Sequence, residues 1–168
     1  RRDQPSSLVL TGSGKFFSNG MHMTYLKNSF DEAVDIFQKT LLRMSLYPIP
    51  VVACLNGHTI AGGAILALTA DVRVMNSEKG YFWINEVALG VPATELIASI
   101  IQHKVPSHVR NSLLLQSRRY KAKEALSFGI VDDALPNPEA RAVEIAKDLA
   151  GRNRQAWAVT KRRMYTTL

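Results

Sequence analysis

Asn56-Gly57-His58-Thr59-Ile60-Ala61-Gly62-Gly63-Ala64-Ile65 decides the fold of this chain, because it follows the apolar run Val51-Val52-Ala53-Cys54-Leu55 and opens an apolar helix through a glycine pair. A strand, a glycine turn and a helix in that order make a place for negative charge. Glycines let a ligand approach the backbone without meeting a β-carbon, and the first amides of a helix have no partners within it. Backed by the helix dipole, those amides can hold a phosphate or the oxyanion of an enolised carbonyl. A glycine pair taken alone more often serves packing or a turn, so the rest of the chain has to decide between these uses.

Two further blocks stand in register with this one. Upstream, the strand-like run Leu8-Val9-Leu10-Thr11 and the turn Gly12-Ser13-Gly14 lead into Lys15-Phe16-Phe17-Ser18-Asn19-Gly20-Met21-His22-Met23. Downstream lies Ile84-Asn85-Glu86-Val87-Ala88-Leu89-Gly90-Val91-Pro92. In this order and at these separations the three blocks resemble the crotonase (enoyl-CoA hydratase/isomerase) superfamily, and most resemble its Δ3,Δ2-enoyl-CoA isomerases. Residues 17–23 are similar to the family's F-S/A-x-G-x-D-L loop, residues 56–63 to its N-G-x-x-x-G-G-G turn, and residues 86–90 to its E-x-x-x-G segment. The likeness continues through Ala70-Asp71-Val72-Arg73-Val74 and Ala122-Lys123-Glu124-Ala125-Leu126-Ser127-Phe128-Gly129-Ile130-Val131-Asp132, and so runs along nearly the whole chain.

The alternation of short strands and helices points to an α/β fold. Strands are expected at 51–55, 72–75 and 81–84. Ser29 and Glu32 have the spacing of a capping box, and Phe30, Val34, Phe37, Leu41 and Met44 make one apolar stripe, so a helix is expected over 31–45, stopped by Pro48 and Pro50. From Pro92 onward the pattern reads as almost wholly helical, over 93–104, 106–116, 122–128, 138–152 and 155 to the end. Asn137-Pro138 there is a cap followed by proline at the first helical position. No internal repeat or dividing linker is visible. The resemblance narrows the class to a crotonase-like spiral of ββα units with a trailing helical region, apparently truncated at both ends. On this reading residues 1–91 are the ββα core with the acyl-CoA site, and residues 92–168 are a helical part of the same domain or a trimerisation region.

Composition bounds the function without deciding it. With 168 residues, 46% of them hydrophobic, one domain with a real core is expected. Lys and Arg number 21 against 14 Asp and Glu, a net charge of +7, which suits an anionic partner such as coenzyme A or nucleic acid, although a solvated basic surface explains any single cluster better. Arg118-Arg119-Tyr120-Lys121 and Lys161-Arg162-Arg163 are accordingly read as solvated helix ends. Cys54, the one cysteine, is expected in the core. No apolar run is long enough for a membrane span, and Arg1-Arg2-Asp3-Gln4-Pro5 has no leader pattern. His22, His58, His103 and His108 lack metal-ligand spacing, so no metal is expected. Gly12-Ser13-Gly14-Lys15 reads as a turn, since it lacks the glycine spacing and the hydroxyl residue of a phosphate loop.

The resemblance implies roles residue by residue. The backbone amides of Met21 and Gly62 would form an oxyanion hole for a thioester oxygen, while Phe17, Asn19, Gly20, Met21, His22, Met23, Gly62 and Gly63 would line the coenzyme A site. Hydratases of the family carry two glutamates, and here the first of those positions is Ile65, an alkyl group that cannot activate water. The second is Glu86. One carboxylate is enough to carry a proton between C2 and C4 of an unsaturated thioester, which is the isomerase reaction of fatty-acid β-oxidation. His22 replaces the family's Asp, and a structural role is expected for it. No cofactor is implied, because coenzyme A is part of the substrate. A fatty enoyl-CoA substrate and a homotrimer or hexamer follow from the resemblance, and nucleic acid is a weaker expectation. A mitochondrial matrix or peroxisomal setting would follow in a eukaryote and a cytoplasmic one in a bacterium. The competing readings are a hydratase or other crotonase enzyme, and a non-catalytic acyl-CoA- or RNA-binding member.

Overall fold

A computed structural model describes residues 6–165. The Arg1–Pro5 segment and the last three residues of the expected C-terminal helix lie outside them. The described chain opens with three turns of one spiral. The first turn holds β1 (Leu8–Thr11), β2 (Phe16–Ser18), α1 (Met23–Asn28) and α2 (Phe30–Ser45). The second holds β3 (Val51–Leu55), β4 (His58–Ile60) and α3 (Gly62–Thr69), and the third β5 (Val72–Asn76), β6 (Phe82–Trp83), a 3₁₀ turn at Val87–Leu89 and α4 (Glu95–Lys104). Each turn places its first strand in one parallel sheet, ordered β1-β3-β5 and closed by a later strand, β7 (Asp133–Leu135), and its second strand in another, ordered β2-β4-β6. The architecture repeats although the sequence does not.

Burial explains why β3 reads as an unbroken apolar run. It is paired on both edges, Val52 lying opposite both Val9 and Val72, and all five of its residues are fully buried. Val51, Ala53 and Leu55 join the large core beneath α2, α3 and α4, where Leu41, Leu68, Ile100 and Ile101 also lie. Val52 and Cys54 face the other way, against Ala142 and Ala146 of α7 (Pro138–Ala150). Cys54 is a free, buried core thiol, as its neighbours imply.

After α4 the chain runs through α5 (Ser107–Arg110), a π-helical turn at Asn111–Leu115, α6 (Ala122–Ser127), β7 (Asp133–Leu135), α7 and α8 (Arg154–Met164). The second half is therefore not wholly helical. β7 pairs in parallel with β5, Asp133 opposite Val74, and so extends the sheet of the first half. Asn137 caps α7 as its sequence predicts, its side-chain oxygen accepting from the Ala140 amide at 3.4 Å. The expected capping box at Ser29 does not form. Ser29 already closes α1, its N–H donating to the Tyr25 carbonyl at 2.9 Å, and its side chain makes no cap bond to α2. The apolar stripe of α2 also begins one turn late, since Phe30 is 53% exposed while Ala33 and Leu41 are buried.

Two charged side chains prove internal, and one of them, Lys161, was expected at a solvated helix end. Lys161 is 5% exposed and its ammonium lies 2.8 Å from Asp71, whose carboxylate also accepts from the Val51 amide at 2.8 Å. Arg73, likewise 5% exposed, donates to the Ile130 and Ala70 carbonyls and pairs with Asp132. No helix among the described residues is long and apolar enough to cross a membrane.

Candidate active site

Parallel pairing brings the three sequence blocks together. Ser18 of β2 lies opposite Thr59 of β4, and Ile60 of β4 opposite Trp83 of β6, so all three strands end at one edge of the smaller sheet. The Asn19–His22 loop, the Ala61-Gly62 turn and the Asn85-Glu86 segment all leave from that edge. Carboxyl ends of parallel strands are where ligands settle in folds of this kind, because helix N-termini and loops converge there.

The first two loops touch. Gly20, at φ +93°, is so close to the turn that a β-carbon on it would stand 3.1 Å from the Gly62 nitrogen. Its own N–H donates to Ser18 Oγ at 3.2 Å, which fixes the bend that presents Met21. Ser18 also wedges against Gly63, where a β-carbon would come within 2.5 Å of the Ser18 carbonyl oxygen and 2.7 Å of its hydroxyl. Only glycine fits there. Ala61, between β4 and α3, holds φ 52° and ψ −132°, a conformation costing an alanine about 1–3 kcal/mol. It is held by its N–H to the Trp83 carbonyl at 2.8 Å and by its carbonyl, which accepts from Ala64 and Ile65. This twist starts α3 at Gly62. Among the described residues, neither the Met21 nor the Gly62 N–H finds an acceptor in the loop, turn and cap hydrogen bonds. Two free amides thus stand at adjoining backbones.

Glu86 follows β6 as the N-cap residue of the 3₁₀ turn, and its carbonyl accepts from Leu89 and Val91. Burial pushes its carboxyl above the usual range, only partly offset by its own and Asn85's backbone N–H groups. One carboxylate oxygen, Oε2, is buried with no hydrogen-bond partner, as is Asn85 Oδ1 beside it. Ile65, where a second acid would stand, is 1% exposed and packed in the main core.

The other predicted positions divide. Phe17 is 8% exposed and belongs to the core. Asn19 and His22 are exposed, Met23 is 65% exposed and Met21 is half-buried, which leaves the outer loop to residues 19–23. His22 begins α1 through its carbonyl, which accepts from Leu26, with no side-chain cap bond. The 118–121 cluster does lead into a helix, with Lys121 as the N-cap residue of α6, but its arginines are not simply solvated. Arg118 pairs with Glu124 at 2.6 Å, and Arg119 lies 3.9 Å from the Trp83 ring centre. Ser18 and Ala61 escaped the sequence reading. A serine before a glycine loop, and an alanine where the chain must take a positive φ, carry no periodic signal.

Comparison with known proteins agrees with this geometry. The family model described as enoyl-CoA hydratase/isomerase matches residues 1–168. The protein called "Enoyl-CoA delta isomerase 3" of Arabidopsis thaliana is 31% identical over 97% of this chain and 74% of its own length. A "Putative enoyl-CoA hydratase" of Thermus thermophilus is 37% identical over 86% of this chain and 58% of its own. Among solved structures, the probable enoyl-CoA hydratase EchA3 of Mycobacterium tuberculosis superposes with a TM-score of 0.88 at 30% identity, covering 95% of this chain and 70% of that one. A monofunctional enoyl-CoA isomerase from M. smegmatis superposes with a TM-score of 0.76 at 27% identity, covering 96% and 70%. The spiral of ββα units is thus a crotonase fold. The chain belongs to the enoyl-CoA hydratase/isomerase family.

Proposed function

We propose that this chain carries the catalytic site of a Δ3,Δ2-enoyl-CoA isomerase. The observation that carries the reading is the pairing of a half-buried Glu86, with one unpartnered carboxylate oxygen, and a buried alkyl group at Ile65. One acid–base group and no second carboxylate suit a proton shuttle better than the activation of water.

The thioester oxygen of a 3-enoyl-CoA sits between the Met21 and Gly62 amides. The Glu86 carboxylate removes a proton from C2, the electron pair flows into the conjugated system, and the resulting dienolate oxygen takes its charge against the two N–H groups. The now neutral Glu86 returns the proton to C4, leaving the double bond between C2 and C3. Nothing is gained or lost overall. Two preorganised donors stabilise such an oxyanion by roughly 3 kcal/mol each. A carboxyl raised by burial has a basicity nearer to working pH and so passes the proton in both directions. Exposed loop residues Asn19, His22 and Met23 are positioned beside the entering thioester, and coenzyme A enters as part of the substrate.

A hydratase reading is favoured by the names of relatives such as the Thermus thermophilus protein. Rates separate the two. The isomerase reading expects conversion of a 3-enoyl-CoA to the trans-2-enoyl-CoA to outrun hydration of crotonyl-CoA by about a hundredfold or more, the usual contribution of one general acid–base group. Equal or faster hydration would replace it with the hydratase reading.

A further inference from the structure

A cavity of about 420 Å³ lies between α8, the end of α4 and the start of β5, and none of the residues at the three-loop edge lines it. Its walls are mostly apolar, with Ala156, Trp157, Met164 and Tyr165 among them, and Lys104, Lys161 and Asp71 stand at its charged end. The charges there do not balance. Asp71 is taken by Lys161 at 2.8 Å, and Asp132 is taken by Arg73 at 3.2 Å. Arg152, also in the lining, pairs with Asp148.

Lys104 is left over. Its ammonium donates to the Ala70 carbonyl at 3.2 Å and rests 4.6 Å from the centre of the Tyr165 ring, with no carboxylate of the described residues in ion-pair contact. Burial, and the nearby charges of Arg73 and Lys161 set against those of Asp71 and Asp132, hold its amine down at about 8. The Trp157 indole N–H, in the same lining, is buried and has no acceptor. One uncompensated cation at the charged end and one idle donor in the lining of the same apolar chamber define what fits.

We propose that this cavity binds a small amphipathic monocarboxylate, its carboxylate on Lys104 and the Trp157 indole N–H and its alkyl body along Ala156, Met164 and Tyr165. A single negative charge matches the single surplus cation, whereas a phosphate would bring a second charge towards Asp71. The volume falls within the range of roughly 300–1,000 Å³ usual for small-molecule sites. This site stands apart from Glu86 and does not depend on the reaction proposed above.

Octanoate is the probe. Titrated at pH 7 with the two tryptophan indole N–H signals followed by NMR and assigned through Trp83→Phe, it should move the Trp157 signal and leave Trp83 in place. Lys104→Met should weaken that binding by about tenfold or more, neutral octanol should bind at least about tenfold more weakly than octanoate, and Lys104→Arg should retain most of the affinity. Raising the pH from 7 to 10 should weaken octanoate binding to the unaltered protein, since the amine then loses its charge. An unmoved Trp157 signal at millimolar octanoate would overturn the proposal. So would equal binding of octanol, which marks an apolar crevice only, or a Trp157 signal that shifts on dilution instead, which marks a second copy of the chain as the occupant. The Lys104→Arg and pH arms hold should Lys104→Met fail to fold.

Discussion

Gly20 and Gly62 come from loops forty-two residues apart in the chain, yet their backbones meet so closely that a β-carbon on Gly20 would stand 3.1 Å from the Gly62 nitrogen. This contact holds the Met21 and Gly62 amides at one place. Gly20→Ala would add a methyl group at φ +93°, where an alanine is strained by about 1–3 kcal/mol. We predict a drop in isomerase turnover of roughly tenfold to a hundredfold, because displacing an aligned donor by an ångström is that costly. Steady-state rates on a 3-enoyl-CoA, alongside a melting curve to confirm folding, check it.

Gly63→Ala tests the other side of the same corner. The new methyl would meet the Ser18 carbonyl and hydroxyl at 2.5 and 2.7 Å, so β2 and α3 must separate. Overpacking of that kind costs about 1–3 kcal/mol, and the melting temperature should fall accordingly. Gly62→Ala should be milder for stability, since its methyl meets the edge of the Phe37 ring at 3.0 Å and a side chain can give way.

The buried pair of Asp71 and Lys161 makes a sharper stability prediction. Asp71→Asn leaves an ammonium that is 5% exposed without its counter-charge, and breaking such a pair costs roughly 3–5 kcal/mol. Chemical denaturation should show that loss. A change below about 1 kcal/mol, the value of an exposed pair, would mean that the ion pair is solvated.

Acidity at Glu86 has a definite sign. Burial raises its folded carboxyl above the unfolded value, so the ionised form is disfavoured by the fold. Its contribution to stability is present at low pH and is lost as pH rises through the raised value, whereas turnover, which needs the carboxylate, should rise through the same window. Glu86→Gln should flatten the stability profile there. A rate profile that falls across that window would assign the base to another group.

Much of this was legible in the chain, and what was not has physical causes. β3 announced itself because full burial on both faces requires five apolar residues in a row. Glu86 and the glycine turn were visible because their chemistry is tied to residue type. β7 was hidden, since Asp133-Ala134-Leu135 has no strand pattern of its own and takes its register from Val74, Met75 and Asn76 across the sheet. α1 is six residues long and buries nothing, too short for a helical period to show. Lys161 looked like a surface cation because its partner, Asp71, is ninety residues away. Ser29 kept the spacing of a cap but had already been used to close the preceding helix.

The most direct test of the proposed mechanism is Glu86→Gln, with turnover of a 3-enoyl-CoA and acyl-CoA affinity measured on the same preparation. Glutamine keeps the shape but cannot take up and return a proton, while the Met21 and Gly62 amides remain. We predict a loss of about two to four orders of magnitude in turnover with acyl-CoA affinity nearly unchanged. A folded variant that kept more than about a tenth of the turnover would contradict it, because losing the one proton carrier must cost far more than that.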